Sequence, residues 1–234
     1  MLIKAIKTKV FKERENLFDF VIRYFPKVAE GSIIVITSKI VALSEGRTAI
    51  AKTEKEKEKI IRAESDIAIK TKYVWLTVKD GMVCANAGVD ESNADGKIVL
   101  LPKDSYKAAA TIRKQLMKHY GVKKLGVLLT DSRLMPLRAG VIGVAVGYAG
   151  FKGIRDYRGT PDIFGRKLKF TQTDVADSLA TAVAVVMGEG NECQPVALIT
   201  DAPVEFSEKV NKKELIIPVA EDLYAPMFRR IGKK

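Results

Sequence analysis

The chain is poor in the side chains that most often carry covalent or transition-metal chemistry. Its 234 residues hold one histidine, His119, and two cysteines, Cys84 and Cys193. Two thiols are too few for a disulfide framework or a cysteine-rich metal site, and they read as free thiols of a reducing cytoplasm. One histidine gives no HExxH zinc site, and because His119 ends an expected helix it is assigned no role. The GxxxxGK[ST] phosphate loop and the GxSxG nucleophile elbow are also missing. No apolar run reaches the roughly 20 residues of a membrane span; the most apolar stretches are 139–151 and 175–187. The start, Met1-Leu2-Ile3-Lys4-Ala5-Ile6-Lys7, interleaves lysines with apolar residues and predicts no signal peptide. These absences predict a cytoplasmic chain without a membrane partner.

What is present is a globular composition, 47% hydrophobic and 29% charged. Forty Lys and Arg against 28 Asp and Glu give a net charge of +12. Residues 52–72 alternate charge sign like a solvated helix. Residues 131–170 differ, with eight basic and three acidic residues among many glycines. That cluster suits anionic ligands such as phosphates and carboxylates. Nucleic acid is disfavoured as the partner, because aromatics are only 7% and no nucleic-acid-binding motif appears.

Periodicity predicts an opening strand over Leu2–Phe11, a helix over Glu15–Tyr24, and a β-branched strand over Ser32–Leu43. It predicts a helix within 52–72 and a hairpin of Tyr73–Val78 with Met82–Ala85 about Asp80-Gly81. A helix follows over Asp104–Tyr120, stopped by Gly121, then strands over Leu125–Leu129 and Val141–Tyr148. Lys167–Thr171 reads as a short strand, and Thr173 as the N-cap of a helix to Met187 that is apolar nearly all round and therefore expected to be buried. Pro195–Thr200 and Leu215–Val219 read as strands and Glu221–Arg230 as a terminal helix. With no linker or repeat, the chain is expected to be a single domain over 1–234. Irregular alternation and a hairpin favour an α+β fold with mixed or antiparallel sheets over a doubly wound one.

Four segments mix oxygen-bearing side chains with glycines at the edges of apolar runs. In Asn86-Ala87-Gly88-Val89-Asp90-Glu91-Ser92-Asn93, carboxylate and amide oxygens suit magnesium or manganese, although the same residues make ordinary turns. Asp131 and Ser132 follow a strand, where α/β scaffolds place ligand groups, and equally fit a cap. Arg133 and Arg138 share one loop, a costly arrangement unless an anion is expected. Asp156, Arg158, Asp162 and Arg166 suit either an ion-paired surface loop or a nucleotide or acceptor site. Glu189 lies between Gly188 and Gly190, which leave the backbone bare for a phosphate or simply end the helix.

Together these segments resemble the coenzyme F-420-0:γ-glutamyl ligase family from about Ile33 to Asp201. The carriers are Ser38 with Ser44-Glu45-Gly46-Arg47, the stretch Cys84–Asn93, Leu100-Leu101-Pro102, Thr130-Asp131-Ser132, Asp156-Tyr157-Arg158-Gly159, Gly165-Arg166 and Met187-Gly188-Glu189-Gly190. The resemblance implies a two-lobed α+β fold and a homodimer. It implies a ligase that joins L-glutamate to a carboxylate acceptor through an acyl phosphate, using GTP (ATP is left open) and two divalent ions, Mg2+ or Mn2+, with K+ as a candidate further ion. By position, Asp90 and Asp131 would hold one metal, and Ser132 with Glu189 the other. Asp90, Asp131 and Glu189 would be the catalytic carboxylates. Ser38, Lys39, Asn93, Met187, Gly188, Gly190 and Asn191 would hold the nucleotide. Arg133, Arg138, Asp156, Arg158 and Arg166 are the substrate-binding candidates.

The chain departs from the family pattern twice. Leu43 stands where the family carries a lysine before Ser-Glu-Gly-Arg, and the family's Asp-Thr-x-Gly-Arg-Pro loop reads Asp131-Ser132-Arg133-Leu134-Met135-Pro136. The acceptor is therefore left open between a deazaflavin precursor and folate. A competing reading is a basic nucleotide- or nucleic-acid-binding protein of the same fold without ligase activity.

Overall fold

The computed structural model describes residues 1–227. Its centre is a five-stranded mixed sheet in the order β1, β12, β2, β8, β9, formed by Leu2–Ile6 (β1), Val196–Thr200 (β12), Ser32–Thr37 (β2), Leu125–Leu134 (β8) and Val141–Ala149 (β9). Only β2 and β8 run parallel, from Ser32 opposite Leu125 to Thr37 opposite Thr130; the remaining pairs of this sheet are antiparallel. The α+β reading with mixed sheets is what the chain adopts. Five of the six residues of β2 are buried, which explains its unbroken β-branched run: it is covered on both faces.

One face of the sheet packs under Leu17–Tyr24 (α1) and Ser105–Tyr120 (α4), with Phe20, Val21, Ile112 and Leu116 meeting Ile34, Ile36, Val127 and Leu129. The other face is covered by Val175–Met187 (α5), through Ala176, Leu179, Ala180 and Val183 against Val35, Leu128 and Ala145. A smaller core lies under Glu54–Ala63 (α3), where Ile61 meets Ala87, Val89 and Ile98. This part contains the three-stranded sheet Ile67–Lys70 (β4), Trp75–Lys79 (β5) and Met82–Ala85 (β6), and the short pair Thr48–Ala49 (β3) with Ile98–Val99 (β7). The β5–β6 turn is the expected hairpin, Asp80 (φ 52°) and Gly81 (φ 78°) both lying in the left-handed region that such turns require.

Several expectations are corrected. The strand expected over Ser32–Leu43 ends at Thr37, and Ser38–Glu45 is a helix (α2) that closes on Gly46 at φ 67°. Ile40 and Val41 continue the β-branched pattern across that junction, so periodicity alone does not mark it. The 52–72 helix stops at Ala63, because Ile67–Lys70 pairs with Trp75–Val78. The first strand ends at Ile6 rather than Phe11. Lys167 makes one bridge to Pro161, and the strand nearby is instead Gln172–Asp174 (β11), paired with Ile154–Asp156 (β10). Asp174, not Thr173, caps α5, accepting from the Asp177 backbone N–H at 2.9 Å. Nor is α5 buried all round: Val185 is 83% exposed. Leu215–Val219 forms turns, and the expected helix over Glu221–Arg230 lies partly outside the described residues. Among the described residues, no helix is long and apolar enough to cross a membrane.

Candidate active site

A cleft of about 860 Å3 opens where β2 ends and its pairing with β8 runs out, beside the start of α2 and the loop after α5. It is the place that topology favours, since β2 and β8 are parallel neighbours and their carboxyl ends face the same way. Three of the four segments singled out in the sequence reach it: Asp90 and Asn93, Asp131 and Ser132, and Met187 through Gln194. Ser38 and Lys39, at the start of α2, complete the wall.

Asp90 is placed by an unusual stretch of backbone. Asn86, Ala87 and Gly88 all have positive φ (52°, 56° and 72°), a run that non-glycine residues seldom adopt. It is held because Asn86 Oδ1 accepts from the Trp75 backbone N–H at 2.9 Å and Thr77 Oγ1 accepts from the Ala87 N–H at 2.7 Å. Asp90 then pairs with Val99 through both backbone groups, at 3.0 and 2.8 Å. Its carboxylate meets Lys39 Nζ at 2.7 Å and accepts from the Ser92 N–H and hydroxyl at 2.7 and 2.9 Å. Burial raises this carboxyl, but Lys39 and the Ser92 donors outweigh it and hold it below the ordinary carboxylate range. Lys39 also donates to the Ser92 carbonyl at 2.8 Å, so it ties α2 to the Asp90 loop.

Asp131 and Ser132 do not end a strand, as expected, but lie inside β8, which runs on to Leu134 against β9. The register shifts between Leu129 and Thr130, where the parallel pairing to β2 runs out, and such irregularities re-aim side chains. Ser132 Oγ donates to the Glu189 carboxylate, 2.9 and 2.8 Å from its two oxygens. Glu189 sits in a loop organised by Glu192, whose carboxylate accepts from the Gly190 N–H at 2.8 Å. Gly188 is required there: at φ 80° a Cβ would lie 2.4 Å from the Glu192 carboxyl carbon. Asn93 Nδ2 donates to the Gly190 carbonyl at 3.2 Å, linking the Asp90 loop to the Glu189 loop.

The arginine-rich candidates do not converge in this way. Arg133 is buried behind Asp131, to which it donates a hydrogen bond. Asp156 and Arg158 pair with each other and line a separate hollow of about 470 Å3 with Lys152 and Arg155; the Arg158 guanidinium brings the Asp156 carboxyl down to about 2. Arg138 and Arg166 line neither space. Sequence reasoning missed the N-terminal segment 8–13, which enters the cleft with Lys9, Phe11 and Glu13; the loose alternation of Leu2–Phe11 had placed its first residues in the opening strand. Glu13 holds Lys97 at 2.5 Å and accepts from Thr48 Oγ1 at 2.5 Å. Cys84 is a buried thiol beside Thr77, Cys193 is exposed, and His119 packs edge-on to Phe18 and Tyr120.

Residues 5–201 match the F420-0:Gamma-glutamyl ligase family. The chain belongs to that family. It is an amide-forming ligase of the γ-glutamyl type. The chain is similar to the coenzyme F420:L-glutamate ligase of Methanococcus maripaludis (strain C6), 37% identical over 230 residues and covering 91% of each chain. It is 34% identical to the protein of that name from Methanocaldococcus jannaschii over 240 residues, 94% of this chain and 95% of the relative. A Methanopyrus kandleri protein of the same name is 37% identical over 191 residues, 74% of this ligase and 75% of its own length.

Proposed function

We propose that this ligase joins L-glutamate to the carboxylate of coenzyme F-420-0, with GTP as the activating nucleotide, and that it works as a homodimer. The acceptor rests on the names of the relatives; folate is the acceptor to be compared with it. The observation that carries the site is the convergence of Asp90, Asp131, Ser132 and Glu189 on one cleft. A carboxylate acylates amines poorly. In the proposed route an acceptor carboxylate oxygen attacks the γ-phosphorus and GDP leaves. The amine of glutamate then attacks the acyl carbon, and inorganic phosphate leaves as the amide forms. No protein nucleophile is needed, which accords with an edge-packed His119 and a buried Cys84.

The donor set fits hard divalent cations such as Mg2+ or Mn2+. Among the described residues no three His, Cys, Asp or Glu side chains converge to hold a metal alone, so phosphate and water oxygens would complete any coordination. Asp90 and Asp131 would hold one ion and Ser132 with Glu189 the other. When bound, such ions neutralise phosphate charge and favour in-line transfer. Lys39 and the N–H groups of Glu189 and Asn191 are the groups that would meet phosphate oxygens, and Asn93 braces that loop.

The test is incubation with coenzyme F-420-0 or folate, glutamate, Mg2+ or Mn2+, and GTP or ATP, with mass spectrometry of the acceptor. A gain of one or more glutamates on F-420-0 with GTP is expected. Asp90→Asn and Asp131→Asn should each lower that turnover at least about 100-fold, with circular dichroism unchanged. Near wild-type turnover in both variants would overturn the site.

A further inference from the structure

Arg133 stands behind the cleft, 6% exposed. Residues two apart on a strand share a face, so it lies beside Asp131, and its Nη1 donates to Asp131 Oδ2 and, at 3.1 Å, to the Ser132 carbonyl. Its Nε and Nη2 are buried and have no hydrogen-bond partner among the described residues. A guanidinium carries five donors, and burying some of them unpaired is destabilising. Native chains keep such groups where a function or a second arrangement uses them. Glu189, unlike Asp131, has no cation paired to it among the described residues and is held by the Ser132 hydroxyl.

We propose that Arg133 is the resident cation of Asp131: it holds this carboxylate in the metal-free ligase, yields it to an arriving divalent ion, and thereby sets the metal affinity of the cleft. The role is one of positioning, since Arg133 touches neither the cleft nor a substrate, and it rests on the reading of Asp131 as a metal ligand. Two cations competing for one half-buried carboxylate repel each other. Removing the resident one therefore favours the other.

The experiment titrates the full chain with MnCl2 in the presence of GDP, following free Mn2+ by electron paramagnetic resonance. Arg133→Gln should bind Mn2+ about tenfold or more tightly than wild type, and Arg133→Lys, which keeps the charge, should stay within about threefold. Asp131→Asn should bind Mn2+ more weakly, and adding Arg133→Gln to it should gain nothing, because the guanidinium acts through Asp131. Unchanged or weaker binding in Arg133→Gln, or equal tightening in Arg133→Lys, overturns the proposal while leaving the metal site standing. Wild-type binding in Asp131→Asn overturns the metal site itself. If Arg133→Gln lacks a cooperative melting transition, Arg133→Met carries the same comparison.

Discussion

At the scale of single residues, the site depends on close approach as much as on charge. Gly143 of β9 faces α5 directly opposite Ser132 in the strand register. A Cβ there would lie 2.3 Å from the Ala180 carbonyl oxygen and 2.8 Å from its carbon, and the Gly143 carbonyl already accepts from Thr181 Oγ1 at 2.7 Å. The obstacle is helix backbone, which cannot swing aside like a side chain. Gly143→Ala should therefore push α5 outward, cost about 1–3 kcal/mol of stability in denaturant unfolding, and lower turnover by moving Glu189 from Ser132. A stability equal to wild type would show that α5 is not seated as closely as this. A Cβ at Gly147 would likewise meet the Ser105 backbone, whereas one at Gly140 would meet nothing; the difference is set by where β9 lies under its helices, a tertiary property that the glycines alone do not reveal.

At the scale of elements, the N-cap and first turn of α5 carry two half-buried carboxyls, Asp174 and Asp177. Burial raises Asp174 to about 6, the Asp177 backbone N–H opposing this and the neighbouring Asp177 charge adding to it. A carboxyl whose value is higher in the folded chain than in the unfolded one favours folding when protonated. Its contribution is complete below about pH 4 and is lost as the pH rises through about 6. Asp174→Asn keeps an N-cap of equal quality and removes the half-buried charge. It should raise the melting temperature at pH 7–8 by about 2–4 °C, corresponding to roughly 1 kcal/mol once solvent screening is allowed for, and the gain should vanish near pH 4. A loss at every pH would mean that the Asp174 charge is itself stabilising. Elements with strong local codes were legible in the sequence: α4, with Asp104 as N-cap and Gly121 at φ 68° after it, and the Asp80-Gly81 hairpin. The elements that went astray are those decided by partners. β8 outruns its apolar core stretch because β9 is there to pair with it, and Ile67–Lys70 left its helical neighbourhood for β5.

At the scale of the whole molecule, the chemistry was more legible than the assembly. The carboxylates and glycines of three separated segments do meet in one cleft. The arginine segment does not join them, because Asp156, the last residue of β10, and Arg158 after it line their own hollow. That region also exposes large apolar side chains: Ile163, Phe164 and Phe170 are 91%, 89% and 89% exposed on the segment between β10 and β11. Isolated exposed apolar residues are ordinary, but three on one short segment, two of them phenylalanines nearly free of contact, are what a self-associating surface leaves bare in one copy. A net charge of +12 works against the association of like chains, so apolar burial has to outweigh that repulsion, and salt should help rather than hinder it. Sedimentation of the wild-type chain at micromolar concentration is therefore expected to give twice the 25.8 kDa chain mass, with the dimer strengthened as ionic strength rises. Phe164→Asp with Phe170→Asp should yield a folded monomer, because neither ring packs in the core of its own chain and each introduced charge would have to be desolvated on association. A wild-type chain that sediments as a monomer at tens of micromolar, or a double variant that stays dimeric, would remove this surface from the assembly.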